Sequence, residues 1–542
     1  MIISWHSSLP VPASAGSELV PAHGVRERLG GGAHRVGIGG LPPQRVDERL
    51  LARPRLERRR AAPEPPGQRN HALAHGHDLP LQDGRRGDLL LRWDAPVREV
   101  RAQDLDHKQL GGEASSSSAP AKVWQPGVDA LEHGEELQYD PTAYNYFHQF
   151  VNADWPYLSF DVVRDHLGLV RSEFPHTLYG VAGTQTLEGA PNYIAIFMFS
   201  NIKGKMRKPD GESDMDGYRS SDEEEQDTKN SMHLKKVAHA GCVNRIRSMT
   251  QKPHICATWG ETGHVQVWDF SSFLNSLADS GMDDQIIHKL VPLKVFGGHE
   301  KEGFAIDWSP VVTGRLVSGD FNKCIHLWEP TSSNWNIDAN PFVGHSNSIE
   351  DLQWSPTEAN IFASCSADKT IAIWDIRTGK KPCFIIKDHN SDVNVISWNR
   401  FASNLIASGS DDGSVSVHDH RLIKEGKNSL VGHFKYHKKA ITSIEWSPFE
   451  ASTLAVSSED HQLTIWDLAV ERHAEGEAEF EAKMEDQAKA PEDLPPQLLF
   501  VHQGQKHWKE VHWHPQIPGM IVAIGINGLD VLMPSNLAST LY

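Results

Sequence analysis

The sequence predicts an all-β fold assembled from repeated antiparallel sheets, and three observations lead to this prediction. From about residue 239 a unit recurs five times in which a His lies 29 positions before a Trp or its substitute. Segments such as Thr370–Trp374 have the two-residue period of strands. The stretches SADK, SDDG and SEDH between such segments are typical of tight turns. The spaced pairs are His239 and Trp268, His299 and Trp328, His345 and Trp374, His389 and His418, and His437 and Trp466.

The repeated unit resembles the WD-repeat family, over about residues 237–533. This resemblance implies a WD-repeat β-propeller in which each unit forms about one four-stranded blade. Six copies, the last one degraded, follow residue 237, and the runs YLSFDVV, TLYGVAGT and NYIAIFMFSN precede them. We therefore expect seven blades. Because an open ring would expose sheet edges, YLSFDVV or a neighbouring segment should pair with the C-terminal GLDVLM.

The resemblance also implies a hydrogen-bonded staple inside each blade. His345 is expected to reach Asp368, a nearby Ser and Trp374, and the same arrangement should recur elsewhere. Asn322 and Thr262 replace the Asp in two other copies, which predicts weaker staples there. The other expected staple residues are His389 with Asp412, and His437 with Asp460 and Trp466.

Three regions differ in composition. Residues 1–121 contain no Phe or Tyr, and residues 1–110 use 16 Arg but one Lys, so this part is predicted to be a disordered tail or an artefactual extension from translated non-coding sequence. Residues 122–236 should contain a short N-terminal helix and the first blade, with an acidic loop at 210–227. Residues 237–542 should complete the propeller, with an acidic insertion at 471–497.

The net charge of the chain and its distribution indicate which class of partner the protein binds. The formal net charge is -18, and residues 1–110 hold 17 Lys+Arg against 13 Asp+Glu, so the remainder is near -22. An acidic body attracts cations and repels polyanions, which favours basic proteins and argues against direct sequence-specific nucleic-acid binding. Five Cys without C-x-x-C spacing indicate a reduced compartment. No signal peptide or long apolar run is present, so neither secretion nor membrane insertion is expected.

A short helix is predicted to begin at Asp140, because Pro141 follows it and apolar residues then recur at helical spacing. Two of these aromatics, Tyr144 and Phe147, are candidates for a partner-binding groove. The alternative is that they only anchor the helix on the propeller. The apolar stripe comprises Ala143, Tyr144, Phe147, Phe150 and Val151.

Helix, Trp-Pro, strand and a late Pro-Pro loop together resemble the histone-binding WD-repeat proteins of chromatin assembly complexes. In that family an N-terminal helix and a Pro-Pro loop form a side groove for a basic histone helix. Prolines restrict the backbone, so two carboxylates can be held at a groove edge at low entropic cost. An ordinary solvated acidic loop is the alternative. The candidate loop residues are Glu492, Asp493, Leu494, Pro495 and Pro496.

Within that set, GEELQYDPTAYNYFHQF, LYGVAGTQ and SSDEEEQD resemble the glutamate-rich WD-repeat proteins. The resemblance implies a nuclear and nucleolar factor that escorts a basic protein of the large ribosomal subunit and binds histones, as a monomer within larger complexes. A Lys-rich start expected of that family is absent, so nuclear import has no explanation in the sequence. The acidic run is a candidate for electrostatic capture of a basic partner and comprises Asp222, Glu223, Glu224 and Glu225.

Two rival classes compete with this interpretation. Phosphate-binding loops, nucleophile elbows and metal-ligand spacings are lacking, so no enzyme, metal or cofactor is expected, and His512 and His514 lack a third ligand nearby. A substrate receptor of a cullin-type ubiquitin ligase is the other class, since residues 363–377 resemble a variant WD box with Asp375 and Arg377 as the adaptor contact. Arg377 is otherwise a solvent-facing turn residue. A histone chaperone in chromatin assembly is a third possibility.

Overall fold

The structure is a computed structural model that describes residues 3–4, 123–124, 143–151, 156–186, 190–204, 231–279, 286–424, 426–470 and 494–537. It confirms the seven-bladed all-β propeller. The predicted disordered tail at 1–121 lies outside the described residues except for β1 (Ile3–Ser4), which pairs antiparallel with β2 (Val123–Trp124). The acidic loop at 210–227 also lies outside them, as does the acidic insertion up to residue 493.

Each blade is a four-stranded antiparallel sheet, and the sheet of blade 1 gains a fifth strand at its periphery. The first strand of each blade lies innermost and the fourth lies at the periphery. Preceding the first blade is β3 (Tyr144–Val151), which belongs to blade 7. Blade 1 has β4 (Tyr157–Val163), β5 (His176–Thr184), β6 (Asn192–Ile202) and β7 (Ser231–His239). Blade 2 has β8 (Val243–Met249), β9 (Lys252–Gly260), β10 (Val265–Asp269) and β12 (Lys294–Phe296). The short strand β11 (Ile287–His288) lies between β10 and β12 in the chain.

The next three blades follow the chain without interruption. Blade 3 has β13 (Ala305–Trp308), β14 (Leu316–Gly319), β15 (Ile325–Pro330) and β16 (Trp335–Ile337), and blade 4 has β17 (Ile349–Trp354), β18 (Ile361–Ser366), β19 (Ile371–Asp375) and β20 (Phe384–Ile386). Blade 5 has β21 (Val393–Trp398), β22 (Leu405–Ser410), β23 (Val415–Asp419) and β24 (Leu430–Phe434).

The last two blades complete the ring. Blade 6 has β25 (Ile441–Trp446), β26 (Thr453–Ser458), β27 (Leu463–Asp467) and β28 (Leu498–His502). Blade 7 has β29 (Glu510–Trp513), β30 (Ile521–Gly525) and β31 (Gly528–Pro534), with β3 as its fourth strand.

The ring closes through the N-terminal strand. β3 pairs antiparallel with β31, and its partners run from Tyr144 opposite Pro534 to Val151 opposite Gly528. The expected pairing of the two ends of the chain is therefore present, but YLSFDVV forms β4, the innermost strand of blade 1. The helix predicted to begin at Asp140 is wrong over Tyr144–Val151, because these residues complete the edge of β31 instead of forming local hydrogen bonds.

The long link after Trp268 covers a second sheet edge. It contains α1 (Ser271–Asn275) and β11, and β11 pairs parallel with β7 at the periphery of blade 1. Phe270 and Leu277 anchor the link in the core between blades 1 and 2. A shorter connection, α2 (His420–Lys424), joins β23 to β24. The first link shields blade 1 from edge-to-edge pairing with another chain.

The core lies between the blades. The described residues form seven hydrophobic clusters, and each cluster joins two neighbouring sheets. The cluster between blades 7 and 1 packs Tyr146 of β3 with Phe160 of β4 and Val522 of β30. Middle strands such as β22 and β26 are buried on both faces, because each sheet is sandwiched between two others. Burial of apolar surface contributes a stabilising free energy of roughly 25 cal/mol per Å², so these clusters are the main stabilising element of the ring.

Hydrogen bonds also link successive innermost strands. A side chain on one blade accepts a hydrogen bond from a backbone N–H of the next: Asp161 from Ser248, Asp307 from Trp354, and Glu445 from Trp513. These acids line the central cavity, whose volume is about 190 Å³. Burial raises the pKa of Asp307 to about 8. The cavity acids therefore have a structural use in joining neighbouring blades.

Candidate partner-binding surfaces

Tyr144 lies inside the protein and joins blades 6 and 7. Its side chain is 5% exposed, and its hydroxyl lies 2.8 Å from His502 Nδ1. The Nε2 atom of His502 lies 3.0 Å from Asp530 Oδ2. Since a carboxylate can only accept, Nε2–H donates to Asp530 and Nδ1 accepts from the Tyr144 hydroxyl. Tyr144 therefore lies beneath the surface of this junction, and its part in a partner-binding groove stays a prediction.

Phe147 remains a candidate contact residue. It is half-buried, and its ring centroid lies 5.2 Å from that of Tyr144 and 5.3 Å from that of His502. These two contacts hold the ring against the junction of blades 6 and 7 while part of it faces solvent. Phe147 thus combines a defined orientation with an exposed apolar edge.

The Pro-Pro segment leads into the fourth strand of blade 6. Leu494, Pro495 and Pro496 are half-buried, and Leu498 N–H donates to Pro495 O at 3.0 Å. Gln497 O accepts from Asp467 N–H at 2.9 Å, which ties the segment to the end of β27. The two carboxylate residues of the predicted loop, Glu492 and Asp493, lie outside the described residues.

The structure places these two segments on the peripheral strands of adjacent blades. Tyr144 of β3 and Phe500 of β28 meet edge to face with centroids 5.3 Å apart. Asn536, just after β31, donates to Leu499 O at 2.9 Å. We call four half-buried residues that lie on or beside these two strands the side surface: Phe147, Leu494, Pro495 and Pro496.

The two acidic segments have equivalent places in the strand order of their blades. The run with Asp222, Glu223, Glu224 and Glu225 connects β6 to β7, and the insertion at 471–493 connects β27 to β28. Each therefore joins the third strand of a blade to its fourth strand.

Two of the expected staples have the expected geometry. Trp374 Nε1–H donates to Ser364 Oγ at 2.8 Å, Ser364 Oγ lies 2.7 Å from His345 Nε2, and His345 Nδ1 lies 3.0 Å from Asp368 Oδ2. Burial opposes the charge of Asp368, but hydrogen bonds from His345 and Thr370 hold its carboxyl pKa below the usual value. In blade 6, Thr464 replaces the serine and connects Trp466 to His437, which reaches Asp460.

Two other staples differ from the expectation. In blade 3, Asp320 lies 2.9 Å from His299 Nδ1, so the staple is complete although Asn322 occupies the aligned position. In blade 5, Asp412 accepts from Ser414, and its hydrogen bonds among described residues do not include His389, which instead contacts Ser408. Strict spacing missed Asp320 because that residue lies two positions earlier in the turn.

Asp375 and Arg377 form an exposed clamp at the end of blade 4. Arg377 Nη2 lies 2.6 Å from Asp375 Oδ2, and the arginine side chain is 62% exposed. Blade 5 repeats the arrangement, with Arg421 Nη2 at 2.7 Å from Asp419 Oδ2. Sequence reasoning missed this second pair because His418 stands where the Trp of the pattern would be.

An ion network on the innermost strands joins blades 1, 2, 6 and 7. Arg245 and Arg247 both contact Glu510, and although burial opposes its charge they hold the pKa of the Glu510 carboxyl well below the usual value. Burial also opposes the charge of His512, but Glu445 and Glu510 outweigh it and raise the pKa of His512 to about 9. His512 and His514 therefore do not share a site, and the latter accepts backbone hydrogen bonds from Gln516 and Ile517.

Neither a metal centre nor a membrane span is found in the described part of the chain. Its residues contain no group of three or more His, Cys, Asp or Glu side chains placed to hold a metal ion. No helix among the same residues has the length and apolar character needed to cross a membrane.

Two family models match the chain. The model for histone-binding protein RBBP4 and its counterpart in the CAF1 complex matches residues 134–203, which include β3 and the first three strands of blade 1. The model described as "WD domain, G-beta repeat" matches residues 339–375, 380–419 and 428–467. The first match covers the strand that carries Phe147 and closes the ring.

Similar proteins cover most of this chain and of their own length. Protein HEAT STRESS TOLERANT DWD 1 of Arabidopsis thaliana is 54% identical over 464 residues, which are 82% of this chain and 98% of that protein. Glutamate-rich WD repeat-containing protein 1 of Dictyostelium discoideum is 43% identical, over 77% of this chain and 86% of its own. Ribosome assembly protein rrb1 of Schizosaccharomyces pombe is 38% identical, over 80% and 88%. At this identity and coverage, the chain belongs to the WD-repeat family that includes glutamate-rich WD repeat-containing protein 1 and rrb1.

Proposed function

We propose that this protein is a nuclear and nucleolar scaffold that binds and escorts basic proteins before their assembly. Its main cargo is a basic protein of the large ribosomal subunit, and histones are a second class of cargo. The relative from Schizosaccharomyces pombe is named a ribosome assembly protein, and residues 134–203 match a histone-binding family model. These two similarities support the two cargo classes.

The observation that carries the proposal is the position of the side surface in an acidic chain. Phe147 lies on β3 and the segment Leu494–Pro496 directly precedes β28, and these two peripheral strands touch through Tyr144 and Phe500. Glu492 and Asp493 directly precede this segment, and the chain has a net charge of -18. An apolar surface bordered by carboxylates suits an amphipathic helix with a basic face.

In this mechanism, the capture of the cargo and the selection of its bound orientation are separate steps. An unassembled ribosomal protein or histone is strongly cationic, so a negative field raises its rate of encounter. The acidic segments at 222–225 and 471–493 supply that field. The side surface then selects the bound orientation, because apolar contacts at Phe147 and Leu494 require one register of the cargo helix.

The test is a pull-down from nuclear extract with the full chain at low and high salt. The variant Glu492→Lys with Asp493→Lys reverses the charges beside the side surface. Asp279→Lys with Glu358→Lys is the matched control, because both acids are exposed and lie on other parts of the ring. We expect the first variant to lose one near-stoichiometric ribosomal protein, more strongly at low salt, and the control to retain it.

Other outcomes would change the proposal. Retention of the same cargo by both variants at both salt concentrations would remove the side surface from the mechanism. Recovery of histones alone, with the same charge dependence, would favour a histone chaperone in chromatin assembly and would contradict the ribosomal assignment.

A second candidate function is that of a substrate receptor for a cullin-type ubiquitin ligase. The exposed Asp375–Arg377 clamp, repeated by Asp419–Arg421, favours it, since both arginines are held in a fixed orientation by bidentate pairing. Arg377→Ala should abolish recovery of the ligase adaptor while leaving the basic cargo bound. Equal recovery of the adaptor by this variant would exclude the clamp as its contact.

A further inference from the structure

The loop between β4 and β5 displays large aliphatic side chains to solvent. Leu167, Leu169 and Val170 are 59%, 88% and 62% exposed. Exposing three neighbouring aliphatic residues forgoes the stabilisation that burial of such side chains gives. Clusters of this kind on a soluble protein commonly mark interaction sites.

Hydrogen bonds hold this loop in one conformation. Arg171 Nη2 pairs with Asp165 Oδ2 at 2.7 Å, and Arg171 Nη1 donates to Thr177 O at 3.0 Å. From blade 7, the Gln516 side chain donates to Gly168 O at 2.6 Å, and Gln516 O accepts from Arg171 N–H at 2.8 Å. The loop is therefore ordered before any partner arrives, which reduces the entropic cost of binding.

Two arginines line the central cavity, and one of them directly precedes this loop. Arg164 directly follows β4, and Arg400 follows β21, so both lie where innermost strands end, and both line the cavity. Burial and the like charge of Arg400 lower the pKa of Arg164. Neither forms a hydrogen bond or ion pair with another described residue, whereas Arg245 and Arg247 deeper in the cavity are paired with Glu510.

The nearest acids do not neutralise this pair by direct contact. Asp161 and Glu445 interact with Arg164 by electrostatic attraction without a hydrogen bond to it. Each of these acids accepts a backbone hydrogen bond from the next blade. Arg400 is exposed and Arg164 is half-buried, so a partner can reach both guanidinium groups. A carboxylate placed between them would gain two charge-assisted contacts and relieve their mutual repulsion.

We propose that this face binds a peptide segment of a partner protein in which an acidic residue is flanked by aliphatic residues. The acidic side chain lies between Arg164 and Arg400, and the aliphatic side chains cover Leu167, Leu169 and Val170. This site differs from the side surface in both position and charge preference. It gives one propeller two contact surfaces, one for a basic cargo and one for an acidic-aliphatic segment.

The test uses a displayed library of random octapeptides, selected on the full chain and on the variant Arg164→Ala with Arg400→Ala. A control variant, Lys381→Ala with Lys387→Ala, removes the same charge from exposed positions on blade 4. We expect the native chain and the control to enrich peptides with Asp or Glu beside Leu, Ile or Phe, and the arginine variant to lose them. The best peptide should bind about tenfold more weakly to the arginine variant, by fluorescence anisotropy.

A single change in the loop provides an independent test. Leu169 is almost fully exposed, so Leu169→Glu should leave the melting temperature unchanged and still weaken the same peptide severalfold. Identical peptide pools from the native chain and the arginine variant would overturn the proposal. Occupation of the mouth of the cavity by an acidic segment of the same chain would give this result too, and it would also overturn the proposal. Enrichment of basic peptides that depend on Arg164, or loss of self-association as the only effect of Leu169→Glu, would overturn it as well.

Discussion

The hydroxyl of Tyr144 lies 2.8 Å from Nδ1 of His502, and this contact joins two strands that are 358 residues apart in the chain. Tyr144 belongs to β3, the first strand of the propeller in sequence, whereas His502 ends β28 in blade 6. Through Asp530 the same histidine reaches β31, the partner of β3. One buried relay therefore stabilises the closure of the ring and the junction that supports the side surface.

Removal of the Tyr144 hydroxyl should destabilise the closed ring. Tyr144→Phe removes the hydroxyl that contacts the buried Nδ1 atom of His502, and we expect a loss of about 1–3 kcal/mol in unfolding free energy. Denaturant unfolding measures this change. Tyr179→Phe is the control, because the half-buried Tyr179 hydroxyl has no hydrogen-bond partner among the described residues. Equal stability of the two variants would show that the relay contributes nothing to closure.

Blade 3 should depend on Asp320 and not on Asn322. Asp320→Asn removes the carboxylate that pairs with buried His299, so the melting temperature should fall, with a loss of about 1–3 kcal/mol. Asn322→Ala removes an exposed contact to Glu300 and should change stability by less than about 0.5 kcal/mol. Thermal unfolding of both variants decides which residue completes the staple, and a larger effect of Asn322→Ala would contradict the geometry.

The staples of blades 4 and 5 should respond differently to the same substitution. Asp368→Asn breaks a direct contact with His345, whereas Asp412 bonds to Ser414 and contributes through the field at His389. We expect the Asp368 variant to lose about 1–3 kcal/mol and the Asp412 variant clearly less. Hydrogen exchange of the strands in each blade would resolve the two effects, and equal losses in both blades would refute the distinction.

Stability should fall in mildly alkaline solution because of His512. Its pKa is about 9 in the folded chain, above the 6.5 of an unperturbed histidine. A raised folded pKa means that the stabilisation is complete below about pH 6.5 and is lost as the pH rises through about 9. His512→Gln should therefore cost roughly 3 kcal/mol at pH 6 and much less at pH 9.5.

Melting curves of native and His512→Gln protein between pH 6 and 9.5 would measure this dependence. Asp307 titrates in the same range, with a pKa of about 8, and is present in both proteins, so the difference between them isolates His512. A difference that stays constant across the range would show that the charge of His512 does not support the ring.

The sequence by itself determined the repeat, the number of blades and the staple residues wherever His, Asp and Trp kept their spacing. His345, Asp368 and Trp374 could be predicted because their contacts lie within one blade, where local spacing sets geometry. The resemblance to the histone-binding WD-repeat proteins predicted that the Pro-Pro segment and the N-terminal aromatic residues belong to one groove. The acidic composition indicated basic partners without any coordinates.

Tertiary structure alone decided what depends on contacts between distant segments. The stripe from Ala143 to Val151 has helical spacing, yet the unpaired edge of β31 draws Tyr144–Val151 into a strand, since pairing satisfies backbone groups that a short helix would leave at the edge. Burial of Tyr144, the pairing of His299 with Asp320, and the placement of Arg164 and Arg400 in one cavity follow from the same cause. Each depends on how the ring brings separate strands together, and no local sequence pattern indicates which distant residues become neighbours.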